Sequence, residues 1–194
     1  INAKTGDILN INTSGNISGN ISAEGLIKTI TAKYGSITGA VRAGMDIGTV
    51  KSLQLDSAIL SAGNNIKQVK INGDITDSFI LAGYDVENDC GFDALDVLGS
   101  GNVGSVSAKG IFSRSYISAG VLPLAEEIQM VLPDMALPYT IDNITGNIGK
   151  VSLGSLDSGA TTDYGLFATT SIKPVKFGKI TTTDTIGYFC VKTL

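Results

Sequence analysis

One phrase recurs along this chain: an Ala, usually followed by Gly, then an Asn or Asp, then an aliphatic residue. The stretch SAGNNIKQVKINGDITDSFILAGYDV (61–86) contains it nearly twice. The Ala anchors are Ala23, Ala43, Ala62, Ala82, Ala119 and Ala168. The aliphatic residues that follow are Ile27, Ile47, Ile66, Val103, Ile148 and Ile172, each with a second one three places on: Ile30, Val50, Val69, Val106, Val151 and Val175. Ala23, Ala43, Ala62 and Ala82 are spaced by 20, 19 and 20 residues. A fixed period of this kind means stacked units, each unable to bury its apolar face alone.

Each unit holds three short apolar runs separated by Gly, Asn, Asp or Ser. IKQVKI (66–71) has relatives in IGKVSL (148–153) and IKPVKF (172–177), GDIT (73–76) in GSIT (35–38), and FILAG (79–83) in AILSAG (58–63) and YISAG (116–120). Short β-branched runs between turn residues read as strands. The predicted fold is all-β: a single domain over 1–194, built as a parallel β-helix (β-solenoid) with about 20 residues and three short strands per coil. A right hand is expected, although spacing alone does not fix it. A β-sandwich is the rival, but it wants longer alternating strands and no fixed period. Asp46, Asn65, Asn102 and Asn147 precede the first aliphatic of their units. These residue types tolerate the left-handed turn conformation and can stack as a polar ladder at the corner.

Composition narrows the function classes. Charged residues are 16% of the chain and the net charge is −4, which argues against nucleic acid as a partner. There is no His, so the commonest general base and transition-metal ligand is missing. No apolar run approaches the length of a membrane span. Two cysteines alone, Cys90 and Cys190, make neither a disulfide framework nor a zinc site, and a bond within the chain or between chains stays open. Four N-x-[ST] triplets begin at Asn12, Asn16, Asn20 and Asn143; with low cysteine they would suit an exported protein, but chance in an Asn- and Ser-rich chain is the plainer reading. Because the chain starts at Ile1, it reads as a processed form or a piece of something longer.

The period breaks twice at one position. The gap from Ala anchor to aliphatic is usually 4 residues, but it is 21 from Ala82 to Val103 and 29 from Ala119 to Ile148. Insertions over about 84–101 and 121–146 must therefore leave the same corner of successive coils, and insertions on one face often bind. From Asp85 to Asp142 there are nine acids, against two basic residues, Lys109 and Arg114, that belong to the intervening coil. In the first insert Asp85, Glu87, Asp89, Asp93 and Asp96 have the rhythm of a calcium loop, but Cys90 stands where an EF-hand needs Gly. These five are candidate calcium ligands, and a solvated acidic loop is the plainer reading. In the second insert Leu124, Ile128 and Val131 would share one face of a short helix between Pro123 and Pro133. That face either packs back on the tube or binds a partner. Lys28, Lys67 and Lys173, and again Lys51, Lys70 and Lys176, alternate with apolar positions and should point outward.

No enzyme is expected. Ser and Thr lack a His to activate them, and the strand faces carry no close carboxylate pair. GNVGSV (101–106) and GNIGKV (146–151) are repeat corners without phosphate-loop spacing. The Thr181, Thr182, Thr183 and Thr185 array is not repeated from coil to coil, as an ice-binding face would require.

The phrases GSGNVGSVSAKG (99–110), NITGNIGKVSLGS (143–155) and the 61–86 stretch resemble the Gly/Asn/Ile-rich β-helix repeats of very large exported bacterial proteins of planctomycete type. The similarity extends to Tyr164–Ala168 with the VKFG strand at 175–178, and covers most of 6–180. It implies an exported, cell-surface location and a structural or adhesive role, and carries over no catalytic residue. The function expected is an extracellular structural protein, a self-assembling subunit of a filament, surface layer or matrix. The alternative is a carbohydrate-binding or polysaccharide-lyase-like β-helix, or adhesin module, with surface polysaccharide as ligand. Six Tyr and six Phe, mostly scattered, do not form the aromatic platforms that reading needs.

Overall fold

The computed structural model describes residues 1–86, 97–120, 144–156, 164–168, 170–178, 180–181 and 188–191. Among them every regular element is a strand, and the sheets are dominated by parallel pairing, one sheet being strongly curled. The first sheet takes one strand from each repeat: Asn2–Ala3, Ile21–Ala23, Ala40–Ala43, Ile59–Ala62, Phe79–Ala82, Tyr116–Ala119 and Tyr164–Ala168. Its register sets Ala3, Ala23, Ala43, Ala62, Ala82, Ala119 and Ala168 in one column. The second sheet takes the other two runs. Its inward column is Ile8, Ile27, Ile47, Ile66, Val103, Ile148 and Ile172, and three residues on it is Ile11, Ile30, Val50, Val69, Val106, Val151 and Val175.

The side chains pointing inward from both sheets form one continuous core running from Ile21 to Phe177. Stacking like on like buries each aliphatic side chain between its two column neighbours, worth about 1.5–3 kcal/mol for a fully buried Ile, Val or Leu. The lysine columns point outward and are exposed, and Lys51 stands opposite Lys70 in register. Like charges directly opposed weaken a pair, which discourages sideways strand addition along that face.

Three strands per repeat is too uniform a picture. Ile27–Ile37 and Ile47–Asp56 each fuse the first and second runs into one long strand. The second bends with the curled sheet, since its first half pairs Ile66–Ile71 and its end pairs Ile75–Thr76. Between Ala32 and Ser36 the longer strand carries a bulge, and Tyr34 there is exposed. In the last repeat Pro174 divides Ser171–Ile172 from Val175–Phe177, because it has no N–H to give the ladder.

The polar corner ladder is present. Asn65 donates its backbone N–H and its Nδ2 to Asp46 Oδ1, both at 3.0 Å. Asn102 does the same to Asn65 Oδ1 and Asn147 to Asn102 Oδ1, and Ser171 Oγ donates to Asn147 Oδ1 at 2.7 Å. None of these four residues has a positive φ. Among the described non-glycine residues, positive φ belongs to Ser57, Asp77 and Arg114, at the corner that leads back into the first sheet. Each Asx side chain reaches the next repeat's N–H, so the ladder needs no reversed backbone.

The described ends of the stack differ in strand direction. At the far end Tyr164–Ala168 is paired antiparallel with Tyr188–Val191, and Val175–Phe177 with Ile180–Thr181, so both sheets end their parallel order there. At the near end, among the described residues, no strand pairs with the outer edge of Asn2–Ala3 or Ile11–Thr13.

Candidate functional site

Both insertions leave the first sheet at one corner, directly after the column Ala82–Ala119. Gly44 and Gly63, which follow Ala43 and Ala62 in uninterrupted repeats, have ordinary φ, whereas Gly83 and Gly120 have φ of 73° and 66°. The left-handed conformation marks the two places where the chain is turned off the stack, and Gly adopts it without a Cβ penalty. The return points lie against the exits. A Cβ on Gly101 would collide with the Gly83 backbone, and one on Gly146 with Gly120 N and the Ala119 carbonyl. The two necks also touch: Gly101 N–H donates to Thr145 O at 3.0 Å, and Thr145 N–H to Ser100 Oγ at 2.9 Å.

The root of the first insertion does not project into solvent. Tyr84–Asp85 pairs antiparallel with Val97–Leu98, and this hairpin stem lies over the outer face of the first sheet. Leu81, Tyr84 and Val86 form a second small apolar cluster with Ile59, Phe79 and Leu98. Ser61 on the sheet donates Oγ–H to Tyr84 O and accepts the Val86 N–H at 3.2 Å, which fixes the stem to the preceding repeat. Phe79 stacks on Tyr116 with centroids 5.5 Å apart.

Two repeats back from the insertion, Arg42 closes the arrangement. Its Nε and Nη2 donate to the two carboxylate oxygens of Asp85 at 2.7 and 2.8 Å, a bidentate fork. Its Nη1 donates to Glu24 at 2.7 Å. The Arg42 side chain is 4% exposed, Asp85 16% and Glu24 40%. The hydrogen bond to Asp85 raises the guanidinium pKa against the opposing pull of burial, so Arg42 stays charged throughout. A buried cation between two anions ties the root of the insertion to repeats that precede it by about 40 and 60 residues of chain.

Of the five candidate calcium ligands, Asp85 is described, and Arg42 engages both of its carboxylate oxygens. Glu87, Asp89, Asp93 and Asp96 lie outside the described residues, as do Leu124, Ile128, Val131 and Cys90. Cys190 is described only as backbone opposite Gly165. Among the described residues no three His, Cys, Asp or Glu side chains converge as a metal site would need. Sequence reasoning missed Arg42, Glu24, Ser61 and Tyr84. A signal was available, because the middle position of I-S-A, V-R-A and L-S-A is Ser22, Arg42 and Ser61. A single charge in an otherwise uncharged column, followed two repeats later by an acidic residue after the Ala-Gly anchor, points to a clasp.

No protein-family model, curated protein or solved structure matches this chain. Its function therefore has to be argued from its own residues. Arg42 is held by two carboxylates, Asp85 and Glu24, and in the aromatic pair Phe79–Tyr116 Tyr116 is buried and Phe79 half-buried. Chemically the arrangement holds an acidic insertion at a fixed place on one flank.

Proposed function

We propose that the chain is a right-handed parallel β-helix that serves as an extracellular structural subunit, associating with copies of itself in a surface layer or matrix. The observation that carries this reading is the register. Like stacks on like along the stack, as an Ala column in the first sheet and Ile/Val columns in the second, with the Asp46–Asn65–Asn102–Asn147 ladder along one corner. A body in which each repeat contacts only its neighbours, through continuous ladders, is stiff along its axis and carries load. The right hand follows from the rule for parallel crossovers. The extracellular location rests on the resemblance of the repeats to those of large exported bacterial proteins.

The acidic insertion is the proposed lateral contact. Its stem is anchored by Ser61 and Arg42, and the acids that follow Asp85 in sequence would bind calcium or a basic partner. We favour association through the flank that carries the insertion.

Negative-stain electron microscopy of the purified protein, first with calcium and then with chelator, tests the reading. Ordered layers or clusters are expected, and their dispersal by chelator would locate calcium at the contact. Single rods in both conditions would sink self-assembly and turn attention to glycan binding.

A further inference from the structure

We propose that the lysine-bearing outward face of the second sheet docks an acidic polysaccharide, a linear polymer of carboxylate-bearing sugars. The proposal does not rest on self-association, and binding by a single rod would support it equally. Three outward columns run along this face in register. The first carries Lys28, Lys67 and Lys173, with Gly48, Gly104 and Gly149 in the repeats between. The second runs through Thr29, Thr49, Gln68, Ser105 and Lys150. The third holds Lys51, Lys70 and Lys176 among Thr31, Ser107 and Ser152. All seven lysines are exposed. They are half of the chain's 14 basic residues, and no Asp or Glu occurs in 27–32, 47–52, 66–71, 103–108, 148–153 or 172–177. A chain of net charge −4 has gathered an unmixed positive face on one sheet.

These lysines have few partners of their own. Arg42 and Arg114 are held by carboxylates. Among the described residues Lys67 alone of the seven comes near one, its Nζ lying 3.9 Å from Asp46 Oδ2 at the edge of the face. Lys51 and Lys70 stand directly opposed, which weakens their strand pair. Ser and Thr fill the same column in other repeats, so packing does not require lysine there. Guarding against strand addition is needed at free edges, and it is not enough to account for Lys51, Lys67 and Lys70, whose strands are paired on both sides. A ligand of opposite charge removes the repulsion.

Spacing and chemistry select that ligand. Successive repeats stand about 4.8 Å apart, so five steps carry the face about 24 Å from Lys28 to Lys173, room for a polymer laid along the axis. An exposed ion pair contributes about 0.2–1 kcal/mol, so an extended anion that meets several lysines is held where a small one is not. Thr49, Gln68 and Ser105, between the lysine columns, offer hydroxyl and amide groups to sugar hydroxyls. At the margin, the bulge between Ala32 and Ser36 throws out Tyr34, 67% exposed, with Lys33 Nζ 4.8 Å from the ring centroid. That ring is a platform for the apolar face of a sugar. Nucleic acid fits less well. The face has no Arg to fork a phosphate, and Tyr34 is its one exposed ring among the described residues, where a strand of bases needs several.

Fluorescence anisotropy with a labelled alginate oligosaccharide, in chelator and low salt, tests the proposal. The wild type should bind alginate and leave a neutral dextran oligosaccharide unbound. Lys51→Ser/Lys70→Ser should weaken binding about fivefold or more with an unchanged circular dichroism spectrum, and Lys51→Arg/Lys70→Arg should retain it. Lys4→Ser/Thr38→Asp, which makes the same change in net charge at exposed positions away from the face, should bind like the wild type. Equal binding by Lys51→Ser/Lys70→Ser and the wild type, or equal weakening by the control, would overturn the proposal. So would a wild type that does not bind alginate, that binds dextran as well, or that binds a thymidine oligonucleotide more tightly than alginate.

Discussion

Gly35 and Gly15 share a column, yet substitution should affect them in opposite ways. At Gly35 an Ala methyl must displace the Gly15 backbone, a cost of about 1–3 kcal/mol or more. At Gly15 the same methyl meets open space, and the restricted unfolded chain should stabilise dilute protein by about 0.4–1 kcal/mol. Urea denaturation of Gly15→Ala and Gly35→Ala checks the pair. Ser78 makes a comparable case for buried polar groups. It is fully buried, its Oγ accepts the Ala58 N–H at 3.1 Å and donates to Thr76 O at 2.6 Å, and its own N–H donates to Ser115 Oγ. Ser78→Ala orphans a donor and an acceptor in the interior and should cost about 1–3 kcal/mol by the same measurement. The aliphatic columns and the Asn ladder could be read from sequence because each is a repeated identity at a fixed spacing. The positive φ at Ser57, Asp77 and Arg114 could not, since those three residues share no side-chain chemistry.

Above single residues, the strands and insertions hold together through a few cross-repeat pairs. Replacing Arg42 with Met leaves Asp85 buried without its fork, while Glu24 can rehydrate. The expected loss is about 2–3 kcal/mol, below the full range for breaking a buried pair. A double-mutant cycle with Asp85→Asn should return strong coupling, and limited proteolysis should cut the Arg42→Met variant sooner within the first insertion. The Asp77–Arg114 pair is different in kind. Its side chains are 39% and 45% exposed, so Asp77→Asn should cost well under 1 kcal/mol. The hydrogen bond from Arg114 holds the Asp77 carboxyl below its ordinary value of 3.8. A depressed carboxylate stabilises the fold above its unfolded value and loses that contribution as pH falls through the folded one. The melting difference between wild type and Asp77→Asn should therefore be constant near neutrality and vanish in acid below that value. The position of the insertions was readable from the broken period. The rooting of the first insertion over the outer face of the first sheet was not, because it depends on Ser61 and Arg42, which lie in repeats that carry no insertion.

Taken as one body, the described residues form a ladder of columns with two insertion necks on one flank. Its stability and proposed role both depend on distance along the axis growing with repeat number rather than with sequence separation. Thr31, Lys51, Lys70, Ser107, Ser152 and Lys176 form one outward column, although 37 residues separate Lys70 from Ser107 and 24 separate Ser152 from Lys176. Dipolar electron paramagnetic resonance between a spin label at position 31 and a second at 107, 152 or 176 measures this directly, in protein diluted with unlabelled chains. With Cys90 and Cys190 replaced by Ser, the separations should rise in equal steps of about 4.8 Å, from about 14 to about 19 to about 24 Å. Separations that fail to increase in even steps, or that follow the number of intervening residues, would contradict the stacked-repeat architecture on which the proposed function stands.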